Sequence, residues 1–235
     1  FKYSQVRARQ IIQNWAPTAP ILNVCRSKCG KILKSRMDKI SKIIYINLER
    51  RQDRREQIEQ ELAAIGLIGE RFNAINHTSG IVGCGLSHLA VLKQAEENQW
   101  ENLLILEDDF QFLVPKETLN QQLQAFWDLN IPWDVIMLSY NLSASTPYND
   151  LIGRVTDAQT ASGYLVNRHF YPKLINMLTQ ATPLLESTGN HWEYANDQCW
   201  KQLQPISQWF YFMTRLGKQR GSFSDNSNRY MDYGV

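Results

Sequence analysis

Three consecutive acids, Glu107-Asp108-Asp109, follow directly on the apolar run Leu103-Leu104-Ile105-Leu106. A short bounded run of this kind reads as a buried strand. The acids then stand at its carboxyl end, where open α/β sheets bind ligands. Crowded carboxylates repel one another, and a cation relieves the repulsion. Oxygen ligands suit Mg2+ or Mn2+. Alternation along an extended chain puts Glu107 and Asp109 on one side and Asp108 on the other. An ion held there can bridge the phosphates of a nucleotide and neutralise a leaving diphosphate. The plain alternative is a solvated acidic turn.

Positioning these acids requires a scaffold, and the pattern supplies one. Ile43 to Leu48 is a continuous apolar run, read as a buried strand. A helix follows, with Asp53 and Glu56 at capping-box spacing, a stripe of Ile58, Leu62 and Ile65, and Gly66 at its stop. Arg71 to Ile75 reads as a short strand. Gly83-Cys84-Gly85 then turns into a helix with Leu86, Leu89 and Ala90 on one face. Further strands are expected at 134–138, 161–166 and 210–213, and helices at 119–127 and 169–178, the latter with Phe170, Leu174, Met177 and Leu178 inward. Strands separated by helical patterns predict an α/β fold, a mostly parallel mixed sheet with helices on both faces.

Composition narrows the class. Of 235 residues, 43% are hydrophobic and seven are Trp, which is enough for a core and excludes general disorder. No stretch reaches the roughly 18 uninterrupted apolar residues of a membrane-spanning helix. Four cysteines are too sparse for a disulfide scaffold, and the C-x3-C pair of Cys25 and Cys29 lacks neighbours to complete a zinc set. Residues 1–42 hold ten Lys/Arg against one acid, and residues 43–235 hold fifteen against twenty-two. A basic N-terminal extension, 1–41, therefore precedes a mildly acidic domain, 42–235. The extension reads either as a solvated helix packed on the domain edge or as a patch for an anionic membrane. Nucleic acid is not expected as a partner, because the rest of the chain is acidic and carries no recognised module. The expected location is cytoplasmic and peripheral at the membrane, with a secretory-pathway lumen as the alternative.

Three segments in order, Tyr45-Ile46-Asn47-Leu48-Glu49-Arg50-Arg51-Gln52-Asp53-Arg54-Arg55, Gly83-Cys84-Gly85-Leu86-Ser87-His88 and Leu104-Ile105-Leu106-Glu107-Asp108-Asp109, resemble glycosyltransferase family 25. The similarity continues weakly through Gly163-Tyr164-Leu165-Val166 and Asp197-Gln198-Cys199-Trp200 to Gln219-Arg220-Gly221-Ser222-Phe223-Ser224-Asp225, covering about residues 42–227. That family includes lipopolysaccharide β-galactosyltransferases and collagen hydroxylysine galactosyltransferases. The resemblance implies a GT-A-like, Rossmann-type fold, a UDP-sugar donor, Mn2+ or Mg2+, and transfer with inversion to a glycan, lipid-linked or protein acceptor. Galactose is the family-weighted donor sugar, with glucose next. The acidic motif is Glu-Asp-Asp rather than a strict Asp-x-Asp.

Under that resemblance Glu107 and Asp109 fall on the metal side. Asp225, in a Ser-Asp pair like the family's, closes over metal and diphosphate, and Asp108 lines the donor site. Inverting transfer also needs a base for the acceptor hydroxyl. Asp197 is the candidate, with helix capping as its alternative and His191 and Glu193 as neighbouring substitutes. Arg50 and Arg54 can hold phosphate, since guanidinium forks match it, or can pair with surface acids such as Glu49, Glu56 and Glu59. Asn47 is a candidate for the nucleotide base, and Gly83 permits close backbone approach. Ser87 and His88 are read at a helix N-terminus, which favours phosphate or sugar hydroxyls; for His88 a supporting role is the alternative. Two other functions share these acids: a catalytically inactive glycan- or protein-binding module, and a metal-dependent nucleotidyltransferase.

Overall fold

A computed structural model describes residues 39–224, 229–231 and 234, with side chains described only through 221 and at 234. Eight strands form one mixed sheet: β1 (Lys42–Asn47), β2 (Glu70–Asn73), β3 (Asn102–Glu107), β5 (Val135–Met137), β6 (Asn141–Pro147), β7 (Ile152–Gln159), β8 (Gly163–Asn167) and β9 (Trp209–Phe212). Their order across it is β2-β1-β3-β8-β5-β9-β7-β6. Strand β1 pairs in parallel with β2 and β3, and β5 pairs in parallel with β9. β8 lies antiparallel between β3 and β5, and the β6–β7 hairpin closes the far edge, with β7 antiparallel to β9. Only β7 and β8 therefore oppose the common direction, and the expectation of a mostly parallel mixed sheet holds.

Helices cover both faces, and strand alternation assigns the side chains. Ile43, Tyr45, Leu104 and Leu106 pack with α1 (Gln52–Ala64) and α3 (Lys116–Asp128), through Ile58, Leu62, Leu119, Leu123 and Phe126. Ile44, Ile46, Leu103 and Ile105 face the other way, onto α2 (Gly80–Glu97) and α4 (Tyr171–Thr188), through Val91, Leu92, Leu174 and Leu178. Burial on both faces is why β1 and β3 read as unbroken apolar runs. Two short helices, α5 (His191–Tyr194) and α6 (Asn196–Cys199), follow α4. A small ribbon pairs β4 (Phe110–Phe112) with β10 (Gly217–Gln219), and β11 (Ser222–Ser224) pairs with β12 (Arg229–Met231). The Phe110 ring fills the space over two glycines: a Cβ on Gly163 or Gly217 would lie 2.2 or 2.1 Å from it. That packing fixes the ribbon against β8.

Several local expectations need correction. Asp53 does not cap α1: the N-cap is Arg51, no side chain caps there, and Asp53 instead binds the Arg51 guanidinium at 2.8–2.9 Å. Gly83-Cys84-Gly85 is not a turn before α2 but lies inside it. The β6–β7 hairpin has no counterpart in the sequence pattern, because β6 is polar and almost wholly exposed and so carries no apolar alternation. The basic extension lies outside the described residues up to position 38. Residues 39–41 are tied to the domain by Asn102, whose amide donates to Lys39 O and accepts from the Ser41 N–H. Among the described residues, no helix is long and apolar enough to cross a membrane.

Candidate active site

The path from β1 through α1 leads to β2 on one side, and the path through α2 leads to β3 on the other. Order reverses at β1, so the carboxyl ends of β1 and β3 open a crevice there. The cleft at this point is lined by Arg50, Arg51 and Arg54 from the β1–α1 turn, by Asn76, His77 and Gly80 before and at the start of α2, and by Cys84, Ser87 and His88 within it. Glu107, Asp108 and Asp109 form its floor, and Gln219 and Arg220 close one wall.

All three acids line this cleft, which overturns the alternation argument. β3 ends at Glu107 and the chain turns at Asp108-Asp109, so extended geometry no longer separates them. Each acid has a different environment. Glu107 accepts from His88 Nε2 at 3.0 Å and from Cys84 Sγ at 3.4 Å. Burial pushes its pKa up, but the His88 hydrogen bond and charge, with Cys84 and Arg54, outweigh that and hold it below the usual value. Asp108 accepts from Asn47 Nδ2 at 2.8 Å and Arg54 Nη1 at 3.0 Å, yet burial leaves its pKa raised. Asp109 Oδ2 accepts from Gln219 Nε2 at 3.2 Å and lies 3.4 Å from Arg54 Nη1. Burial and the neighbouring Glu107 charge push Asp109 up to about 7. Its Oδ1 is buried with no hydrogen-bond partner.

That orphaned oxygen is what a hard cation would satisfy. The residues therefore fit a divalent ion at Asp109, with Glu107, whose Oε1 is held by His88 and Cys84, as its neighbour, while Asp108 is committed to Asn47 and Arg54. Asp225 lies outside the described residues.

The remaining candidates divide. Arg50 and Arg54 line the cleft, with Arg50 Nη1 on Asn76 Oδ1 at 2.9 Å. Arg55 pairs with Glu59 on the surface, in the i, i+4 manner of an ordinary solvated helix. Asn47 is buried, and its amide joins Asp108, the Arg51 carbonyl and Arg71 Nε at 2.8–3.0 Å; it clasps the loops that shape the cleft and does not line it. Ser87 and His88 are not at a helix N-terminus, because α2 begins at Gly80, about two turns earlier. Ser87 donates to Gly83 O and accepts from the Ile75 N–H, pinning the β2–α2 loop. His88 is fully buried between Glu107 and Tyr164, whose hydroxyl is 2.8 Å from Nδ1. At Gly83 a Cβ would stand 2.6 Å from Ile75 O, so the close approach it allows is that of the loop carrying Asn76 and His77.

Asp197 sits in the first turn of α6, whose N-cap is Ala195, and its carboxylate accepts the Thr160 N–H at 3.1 Å. Thr160 has φ +90°, a strained value for a β-branched residue, and this bond helps hold it. Burial, aided by the Glu107 charge, raises the Asp197 pKa. Asp197 itself does not line the cleft, and neither do His191 and Glu193, which are exposed. Sequence reasoning does not single out Cys84, Asn76, His77, Gln219 or Arg220 as lining residues. The Gln219–Asp225 segment carries a signal for the last two, but only the β4–β10 pairing brings them over Asp109: the Arg220 N–H donates to Asp109 O at 2.7 Å.

A curated protein of Drosophila melanogaster, named Glycosyltransferase 25 family member, is 29% identical over 121 residues. The chain resembles glycosyltransferase family 25. The match spans 40% of this chain and only a fifth of that relative's length. No family model matches. Among solved structures, a glycosyltransferase involved in glycosylation of the major capsid of PBCV-1 is similar at 13% identity and a TM-score of 0.49, covering 80% of this chain and 95% of that one. A197 from STIV is similar at 10% identity and a TM-score of 0.48, covering 82% and 93%. Both scores fall below 0.5.

Proposed function

We propose that residues 42–235 are the catalytic domain of a metal-dependent, inverting glycosyltransferase that moves a hexose, galactose first, from a UDP-sugar to an acceptor hydroxyl on a glycan, lipid or protein. The observation that carries this reading is the carboxylate floor at the β1–β3 crevice, with a buried, partnerless Asp109 oxygen beside Glu107. The likeness to the family 25 relative supports the transferase class. Glu107 and Asp109, with Asp225, are the residues that would hold Mn2+ or Mg2+, and the ion supplies neutralisation of the charge on a departing diphosphate.

The chain's own residues supply the rest. Arg50 and Arg54 present guanidinium groups to the diphosphate. Asp108 and Asn47 hold Arg54 and the β1–α1 turn in place. Asp197 takes the acceptor proton; its raised pKa moves the carboxylate toward the range a base at neutral pH needs. The basic residues 1–41 keep the domain near an anionic membrane carrying the acceptor.

The test is a thermal-shift titration with UDP, with and without Mn2+. A ligand at 100 times its Kd stabilises the folded state by about 2.7 kcal/mol. The expected result is a UDP shift that requires Mn2+ and disappears in Asp109→Ala, together with loss of UDP release from UDP-galactose. An Mn2+-independent result, or unchanged turnover in Asp109→Ala, would sink the mechanism.

A further inference from the structure

Cys84 and His88 are separated by four positions on α2, so they share one helix face. That face meets the end of β3, where Glu107 lies 3.0 Å from His88 Nε2 and 3.4 Å from Cys84 Sγ. One ligand atom from each lies within 4.8 Å of the others, and all three residues line the cleft. In tetrahedral zinc sites metal–ligand lengths of about 2.0–2.3 Å put neighbouring ligand atoms roughly 3–4 Å apart. Only small side-chain shifts separate this hydrogen-bonded cluster from a coordination set.

We propose that Cys84 Sγ, His88 Nε2 and a Glu107 oxygen form a three-ligand site for a zinc-class divalent ion, with its fourth position open to the cleft. The thiolate distinguishes it from the oxygen set of Glu107 and Asp109. Soft sulfur favours zinc or cobalt over manganese or magnesium. Tyr164 supplies the support such a site needs: its hydroxyl meets His88 Nδ1 at 2.8 Å, and the two rings stack at 5.7 Å. A carboxylate only accepts, so in the ion-free protein His88 Nε2–H donates to Glu107. On binding, Cys84 releases its proton to solvent. His88, which carries a proton on each ring nitrogen in the ion-free protein, releases its Nε2 proton to solvent as well and keeps Nδ1–H, which donates to the Tyr164 oxygen.

Glu107 belongs to both sets, so an ion on the sulfur site withdraws it from the other. Zinc then inhibits Mn2+-dependent donor binding, a consequence that rests on the function proposed above. The zinc site itself does not.

The experiment titrates Co2+ and then Zn2+ onto the full chain carrying Cys25→Ser and Cys29→Ser, which removes the competing cysteine pair. The expected result is a thiolate-to-cobalt charge-transfer band with one equivalent of Co2+. Zn2+ abolishes the band, and calorimetry in two buffers shows proton release. Cys84→Ser loses the band. Tyr164→Phe keeps it but binds roughly 10–100-fold more weakly. Absence of the band in the parent chain, or its persistence in Cys84→Ser, overturns the site. Should Cys84→Ser not fold, His88→Gln gives the same decision: a band of unchanged affinity there overturns it. Zinc binding without any Mn2+-dependent UDP shift would refute the transferase reading and leave the site standing. A normal UDP shift without zinc binding would do the reverse.

Discussion

Asp109 carries the sharpest consequence of the cleft's electrostatics. Its carboxyl is buried among Glu107 and Asp108, and its pKa stands near 7 against an ordinary 3.8. Because the folded-state value is raised, folding takes up a proton between these two pH values. Stability contributed by the protonated group is complete below about pH 4 and is lost as pH rises through about 7. Three pKa units correspond to about 4 kcal/mol of strain on the ionised form at pH 8. Asp109→Asn removes that strain while keeping the shape. The asparagine carbonyl can still accept from Gln219 and Arg54, but its amide lands where Oδ1 now has no partner, costing about 1–2 kcal/mol. The expected net gain in metal-free buffer at pH 8 is about 2 kcal/mol, or about 4–8 °C in Tm for a chain of this size. At pH 5 the strain falls to about 2 kcal/mol or less, and the advantage vanishes against the amide cost. Thermal melts of both proteins in chelator at pH 5 and pH 8 measure this directly. A variant no more stable than wild type at pH 8, or equally favoured at both pH values, refutes the idea that Asp109 is a charge held under strain. The same substitution should remove the Mn2+-dependent stabilisation by UDP, so metal reverses the order of the two proteins.

Three further outcomes follow from specific contacts. Gly83→Ala drives a methyl to within 2.6 Å of Ile75 O, a backbone atom that cannot swing away. It should cost about 1–3 kcal/mol by denaturant melt and raise KM for the donor by displacing the Asn76–His77 loop; an unchanged melt and KM would show that the loop does not shape the cleft. Asp197→Asn keeps the Thr160 N–H bond to a carbonyl oxygen but cannot take a proton. Transfer should fall about 10²–10⁴-fold with UDP affinity intact, and activity within a few-fold of wild type would remove Asp197 as the base. Deleting residues 1–38, which leaves the Lys39–Ser41 clasp on Asn102 in place, should weaken sedimentation with anionic vesicles and spare activity on a soluble acceptor. Equal sedimentation would assign the basic stretch some other role.

The elements legible in the sequence share one property, which is that burial on both sides leaves an unbroken apolar word. β1 and β3 are such words, so the amino-acid order alone locates their carboxyl ends, with Asn47 and the three acids. The helix stripe of Ile58, Leu62 and Ile65 is equally plain. The exposed β6 strand has no such word, and its pairing with β7 depends on a partner that no local pattern encodes. The start of α2 is hidden for a related reason. Gly83 and Gly85 look like a turn, but their missing side chains serve packing: a loop carbonyl sits against Gly83, and Thr182 of α4 lies 3.4 Å from where a Gly85 Cβ would be. Side-chain roles within the site are the least legible part, because they depend on which oxygen finds which partner. Asn47, Asp108 and Arg54 look alike in sequence as donor contacts. In space Asn47 and Asp108 are tied to each other and to the arginines, whereas Asp109 is met by Gln219 and Arg54 at Oδ2 and by no protein group at Oδ1. Under the proposed function, that one buried oxygen without a protein partner is the position a bound cation would complete.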